Sequence, residues 1–137
     1  MAAINQGASG GKYLPTILAL LLLLGAGCAT AAPRLDVQKE MTYVCGLLGV
    51  DGRSVPLPKI IWVNDSFAAT ELFDSLTHQD LRVAAFYSPA NNAIVLPIRE
   101  YSNVLLWHEL AHAVMSHNPR WQRTNQEGWA TLAAGQW

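Results

Sequence analysis

Apolar residues recur at helical spacing in several stretches of the chain. Met41, Val44, Cys45 and Leu48 follow the i, i+3, i+4, i+7 pattern of a helix with one buried face. Later stretches repeat this pattern, and their ends carry capping or helix-stopping residues. The sequence therefore predicts four helices. The first covers about Leu35–Leu48, and the second contains Ala69–Leu76 and is capped by Asp65 or Ser66. The third runs from near Ser102 to Asn118-Pro119, and the fourth covers roughly Thr124–Ala134.

Three short stretches rich in β-branched and other apolar residues are typical of strands. They are Lys59–Val63, Val83–Tyr87 and Ala93–Leu96. Five residues that favour turns, Ser88–Asn92, separate the last two and predict a β-hairpin. The order helix, strand, helix, hairpin, helix, helix predicts a small α+β domain with helices packed on one short sheet.

The N-terminus has the pattern of a secretory signal peptide. An apolar run, Thr16–Leu24, follows Lys12 and precedes small residues, and it is too short to cross a bilayer. This pattern predicts a signal over residues 1–31 and a mature domain over residues 32–137. Two cleavage sites stay open: Leu24–Cys28 resembles a bacterial lipobox, which would lipidate Cys28, and Ala29-Thr30-Ala31 fits ordinary signal peptidase. We expect export to the bacterial cell envelope or periplasm, with a lipid anchor at Cys28 favoured over secretion.

Composition narrows the class of protein. The 137 residues suit one domain, and 9 basic against 10 acidic side chains argue against a nucleic-acid partner. A hydrophobic content of 51% excludes a disordered chain. Cys28 and Cys45 are the two cysteines, so no disulfide framework is indicated, and Cys45 lies in an apolar stretch that predicts a core position.

The motif with the clearest chemistry is His108-Glu109-Leu110-Ala111-His112, within the penultimate predicted helix. Residues four apart lie on one face of a helix, so both imidazoles can reach one metal ion. Glu109 is rotated about 100° from His108, which places its carboxylate beside the ion, where it can act as general base for a zinc-activated water.

A catalytic zinc site takes three protein ligands, and two residues are candidates for the third. His117 is five residues beyond His112, which is a poor angle on the same helix. Glu127 follows a connection that can reverse the chain, so the last helix could bring its carboxylate to the histidines. The residue pattern therefore favours Glu127 over His117.

These residues resemble the gluzincin zinc metallopeptidases, in a minimal version. The resemblance covers about Tyr87–Thr131 and depends on His108–His112 together with Asn125–Thr131, in which Gln126 is inserted after the asparagine of the family pattern. It implies a small zincin-like domain, zinc on His108, His112 and Glu127, and Glu109 as base. It also implies that an edge strand, Ala93–Leu96 or Val83–Tyr87, holds an extended peptide substrate. The oxyanion donor would come from one of four residues: Tyr101, His117, Tyr87 or Arg123.

The sequence thus predicts an exported zinc metallopeptidase that hydrolyses peptide bonds in a peptide or protein substrate. The alternative is a zinc-binding but non-catalytic envelope lipoprotein or binding module. Membrane association would follow from lipidation of Cys28.

Overall fold

A computed structural model describes residues 30–121 and 126–135 of the chain. The contacts group Ala31–Trp137 into one compact unit. Apart from Thr30 and Ala31, the predicted signal segment lies outside the described residues, as do Cys28 and Arg123. Within the described ranges, no helix is both long enough and apolar enough to cross a bilayer.

The domain is α+β, as the sequence predicts. Its described residues form four helices: α1 (Val37–Leu48), α2 (Ser66–Thr77), α3 (Asn103–Ser116) and α4 (Gln126–Ala133). Its strands are β1 (Lys59–Val63), β2 (Phe86–Ser88) and β3 (Ala93–Pro97). A single 3₁₀ turn, Pro89–Asn91, lies between β2 and β3 and confirms the predicted hairpin.

Side-chain caps mark where the helices begin. Asp36, Asp65 and Ser102 each accept a backbone N–H three residues later, at 3.0, 3.0 and 3.2 Å respectively. Of the two caps that the sequence left open for α2, the structure selects Asp65. Gly49 ends α1 in the left-handed region at φ 64°, a conformation that glycine adopts without steric cost.

The sheet is mixed, with strand order β1-β3-β2. β1 runs parallel to β3, and β2 runs antiparallel to it. The sequence placed Ala93–Leu96 among the candidate edge strands, and this is wrong, because β3 is hydrogen-bonded on both sides. Of the two candidates, only β2 lies at an edge.

β2 is also shorter than the predicted strand Val83–Tyr87. The backbone N–H and C=O of Val83 both bond to the Thr70 hydroxyl, at 3.1 and 3.0 Å. Residue 83 is therefore bound to α2, and strand pairing begins only at Phe86.

The two faces of the sheet pack on different helices. On one face, Ile94 and Leu96 of β3 join the main core, together with buried residues of α1 and α3 such as Met41 and Leu110. Cys45 is part of this core, as predicted. Because side chains alternate along a strand, Val95 points to the other face, where α2 contacts β1 and β3. The sheet thus anchors α3, which carries the histidine motif.

Candidate metal centre

Helix α3 presents its two histidines away from the core. Leu106 and Leu110 are fully buried on one side of the helix. The side chains of His108 and His112 are 19% and 17% exposed. Their ring centroids are 5.0 Å apart, as expected for positions one turn apart on one helix face. The predicted pairing of the imidazoles is therefore observed.

Helix α4 supplies the third group. Its buried side includes Ala130 and Ala133, and the helix packs against α3. Glu127 lies in its first turn, with a side chain that is 76% exposed. Small buried residues let the two helices approach closely enough for the Glu127 carboxylate to reach both imidazoles.

The three side chains converge on one point. Nε2 of His108 lies 3.4 Å from Oε2 of Glu127, and Nε2 of His112 lies 3.1 Å from Oε1 of Glu127. The two Nε2 atoms are 3.2 Å apart. Ligand atoms about 2.1 Å from a tetrahedral zinc ion lie roughly 3.4 Å from one another. The donor set and its spacing therefore suit a metal ion on His108, His112 and Glu127.

His117 does not join this group. It lies at the C-terminus of α3, where its Nδ1 is 2.9 Å from the carbonyl oxygen of Ala113 and 3.2 Å from Oγ of Ser116. Of the two candidates for the third ligand, the structure brings only Glu127 to the histidine pair.

Burial also adjusts the protonation of the site. Desolvation lowers the pKa of His112, and His108 adds to the effect, whereas Glu127 and a hydrogen bond to Gln126 oppose it. The lowered pKa favours a neutral imidazole, which is the form that binds metals.

Glu109 is the buried carboxyl of the site. It is 6% exposed, and it lines the same cleft as the two histidines and Glu127. Burial, reinforced by the Glu127 carboxylate, raises the pKa of Glu109 to about 8, although a backbone hydrogen bond from Tyr87 lowers it.

These four side chains share an open cleft of about 650 Å³ between α3, β2 and the segment before β2. Among the described oxyanion candidates, only Tyr87 lines it. The Tyr87 hydroxyl donates to Oδ1 of Asn92 at 3.1 Å and accepts from Oγ of Ser116 at 3.3 Å. Tyr101 instead donates to Oδ1 of Asn103. Arg123 lies outside the described residues.

Two cleft residues were not singled out as functional by the sequence. Ser116 lies four residues after His112, so the same spacing rule, extended by one turn, would have placed it on this face. Gln126 lines the cleft and bonds to His112. Its only sequence signal is that it precedes Glu127, because its contact with α3 depends on how α4 docks.

Comparisons with protein-family models, with curated proteins and with solved structures find no match for this chain.

Proposed function

We propose that this protein is a zinc-dependent metallopeptidase that hydrolyses peptide bonds. The observation that carries the proposal is the convergence of His108, His112 and Glu127 beside a buried glutamate, Glu109, in one cleft. Three protein ligands with space for a further ligand are typical of catalytic zinc sites, whereas structural sites bind the ion with four.

The proposed reaction needs metal ligands and a general base, and different residues of the cleft supply them. His108, His112 and Glu127 would hold the ion, which supplies a Lewis acid that activates water and polarises a carbonyl group. Glu109 takes the proton from the attacking water and returns it to the leaving amine. Its position in the same cleft as the three metal ligands supports this role, because a general base must lie within reach of the proton that it takes.

A peptide is the substrate that suits the cleft. β2 lies at an edge of the sheet and borders the cleft through Phe86 and Tyr87. An extended chain can add to such an edge through main-chain hydrogen bonds. A peptide bound in this way would pass beside the metal ligands. This supports a zincin-like arrangement with β2 as the substrate strand.

The N-terminal sequence supports an exported enzyme. The apolar run Thr16–Leu24 and the lipobox-like Leu24–Cys28 suggest a lipid anchor at Cys28 in the bacterial envelope. Labelling of the expressed chain with a fatty-acid analogue tests this, because Cys28→Ser would abolish the label if Cys28 is the acceptor.

The first experiment measures zinc content by elemental analysis and zinc affinity by titration, in the purified full chain and in Glu127→Ala. We expect one zinc per wild-type chain and a loss of affinity of at least about tenfold in the variant, since one of three ligands is gone. Glu71→Ala is the matched control, because Glu71 is exposed on α2 and does not line the cleft. Absence of zinc from the wild type would contradict the proposal.

Glu109→Gln tests catalysis separately from metal binding. The amide has nearly the same shape but cannot accept the proton, so we expect zinc to be retained and peptide cleavage to fall by about 10²–10⁴-fold. Zinc binding without cleavage of a broad peptide library by the wild type would instead identify a non-catalytic zinc-binding module.

A further inference from the structure

Strand β1 forms the edge of the sheet opposite to β2. It has five residues, like the central strand β3, but the two strands differ in burial. Every residue of β3 is buried, whereas Ile60, Ile61 and Trp62 of β1 are only partly buried and Lys59 is exposed. A strand edge that exposes apolar side chains is a surface on which another strand can pair.

The backbone of β1 is open along this edge. In its parallel pair with β3, alternate residues direct their N–H and C=O groups toward β3. The N–H of Lys59 donates to the carbonyl oxygen of Asn92 at 2.9 Å, so the odd-numbered residues of β1 bond inward. Ile60 and Trp62 therefore direct their N–H and C=O groups outward, where no described residue bonds to them.

These outward groups are arranged symmetrically about Ile61. When a second copy runs antiparallel with Ile61 opposite Ile61, Ile60 of each chain lies opposite Trp62 of the other. Residues opposite each other in an antiparallel pair can exchange both N–H···O bonds. This register therefore uses every outward N–H and C=O group of Ile60 and Trp62 in both chains.

Charges at the two ends of β1 complement each other in the same register. Lys59 begins the strand, and Asp65 follows its end in extended backbone, at φ −153° and ψ 177°. The Asp65 side chain is 30% exposed, although Arg99 lies 3.8 Å from it. Antiparallel pairing places Lys59 diagonally opposite Asp65 of the other copy, about 7–8 Å away, within reach of a long side chain. Opposite charges thus lie near each other at both ends of the pair.

Two exposed apolar side chains flank β1 and fit this arrangement as well. Leu57, two residues before the strand, is 44% exposed, and Phe67, in the first turn of α2, is 69% exposed. Within one chain they lie at opposite ends of β1. Antiparallel pairing brings Leu57 of one copy to the same end as Phe67 of the other, where burial of apolar surface favours association.

We propose that the β1 edge is a self-association surface, on which a second copy of this chain pairs antiparallel about Ile61. The two sheets join across a two-fold axis, which presents the same patch from both chains. A second copy is the occupant because one register satisfies the open backbone groups, the charges and the exposed apolar side chains together. No residue of β1 lines the metal cleft, so the pairing leaves both clefts accessible and does not depend on the proposed function.

Cysteine cross-linking tests the register. In the proposed pair, Ile61 lies opposite itself at a non-hydrogen-bonded position, where Cα atoms about 4.5 Å apart permit a disulfide. In the full chain with Cys28→Ser, whose remaining Cys45 is buried, we expect mild oxidation to link Ile61→Cys into a covalent dimer. Lys59→Cys is the matched control. It is more exposed, but pairing opposite residue 63 leaves it roughly 13 Å along the strands from its own copy, too far for a disulfide.

The cross-linking result distinguishes the possible partners. At least about tenfold more covalent dimer in Ile61→Cys than in Lys59→Cys would support the antiparallel pair. Equal linking of the two variants would indicate parallel or non-specific association and would overturn the proposal. A chain that does not link at Ile61→Cys and sediments as a monomer in mild detergent would also overturn it, and would leave the edge to a different protein.

A proline variant tests the backbone contribution. Ile60→Pro removes an N–H that points to the open edge, and an edge strand tolerates proline at such a position. Ile60→Ala is the matched control, because it also removes the isoleucine side chain but retains the N–H. We expect the dimer dissociation constant from sedimentation to be at least about tenfold higher in Ile60→Pro, since the two-fold axis removes two hydrogen bonds at once. Equal constants in the two variants would contradict the pairing.

Phe67→Ser tests the same surface without a change in the strand. Its exposed position leaves the fold intact, and we expect the dimer dissociation constant to rise at least about threefold. Leu81→Ser is the matched control, because Leu81 is 54% exposed but lines the metal cleft instead of flanking β1. An equal effect of the two substitutions would show that the dimer forms elsewhere and would reject the β1 edge.

Discussion

Helices α3 and α4 both supply proposed metal ligands, but the chain holds them differently. α3 has 14 residues, a Ser102 cap and fully buried leucines, whereas α4 has 8 residues and Glu127 is 76% exposed. The histidines are thus held by the core of the domain. The glutamate depends on the docking of a short helix, and helices of this length gain almost all their stability from packing. We therefore expect metal binding to stabilise α4 far more than α3.

The largest expected effect is on the free energy of unfolding, after a substitution in the buried face of α3. Leu110→Ala removes a fully buried side chain of α3 and should lower the free energy of unfolding by about 2–5 kcal/mol in urea titrations. Leu81→Ala, at an exposed position, is the control and should change it by less than about 0.5 kcal/mol. A loss below about 1 kcal/mol for Leu110→Ala would mean that α3 is not anchored as described.

Metal removal tests whether α4 depends on the metal ion more than α3 does. Saturating zinc at 100 times its dissociation constant stabilises the folded chain by about 2.7 kcal/mol, and a chelator removes this contribution. Hydrogen exchange should then accelerate more in Gln126–Ala133 than in Asn103–Ser116. In Glu127→Ala the same chelator should change the exchange of α4 little. Uniform acceleration of both helices would contradict the difference between them.

A smaller effect is expected at the start of α3. The Ser102 hydroxyl accepts from the N–H of Leu105 at 3.2 Å, so Ser102→Ala should cost about 1 kcal/mol of unfolding free energy. Ser102→Asp retains a capping acceptor and should recover most of the loss in thermal unfolding. If Ser102→Asp is as unstable as Ser102→Ala, the loss does not come from the cap.

Metal removal is expected to have its smallest effect on the labelling rate of Cys45, in α1. Burial raises the pKa of its thiol, and the Asp51 carboxylate adds to the rise, so little reactive thiolate forms. In a Cys28→Ser background, iodoacetamide should label Cys45 at least about tenfold more slowly in the folded chain than in urea. A chelator should leave the rate unchanged, because α1 packs on α3. Acceleration by the chelator would show that the core also opens.

Much of the local structure was predictable, because it depends on residues close together in sequence. The apolar spacing around Met41 and Val44 predicted α1, and the strand Lys59–Val63 was predicted with its observed limits. The prediction failed at Val83, whose backbone bonds to Thr70, thirteen residues earlier. It also failed to rank the candidate edge strands, because strand order depends on which distant strands pair.

In the candidate metal centre, too, residues close in sequence were predictable, whereas contacts between distant residues were not. The sequence by itself determined that His108 and His112 share a helix face with Glu109 beside them, because helix geometry alone places residues one and four positions apart. It favoured Glu127 over His117 as a third ligand, but only the docking of α4 on α3 brought its carboxylate within 3.1–3.4 Å of both imidazoles. The tertiary structure alone placed β2 at the edge of the sheet and joined Phe73, Leu81 and Leu105 in one cleft. Such contacts join residues far apart in the chain, and packing of the whole domain, rather than local spacing, determines them.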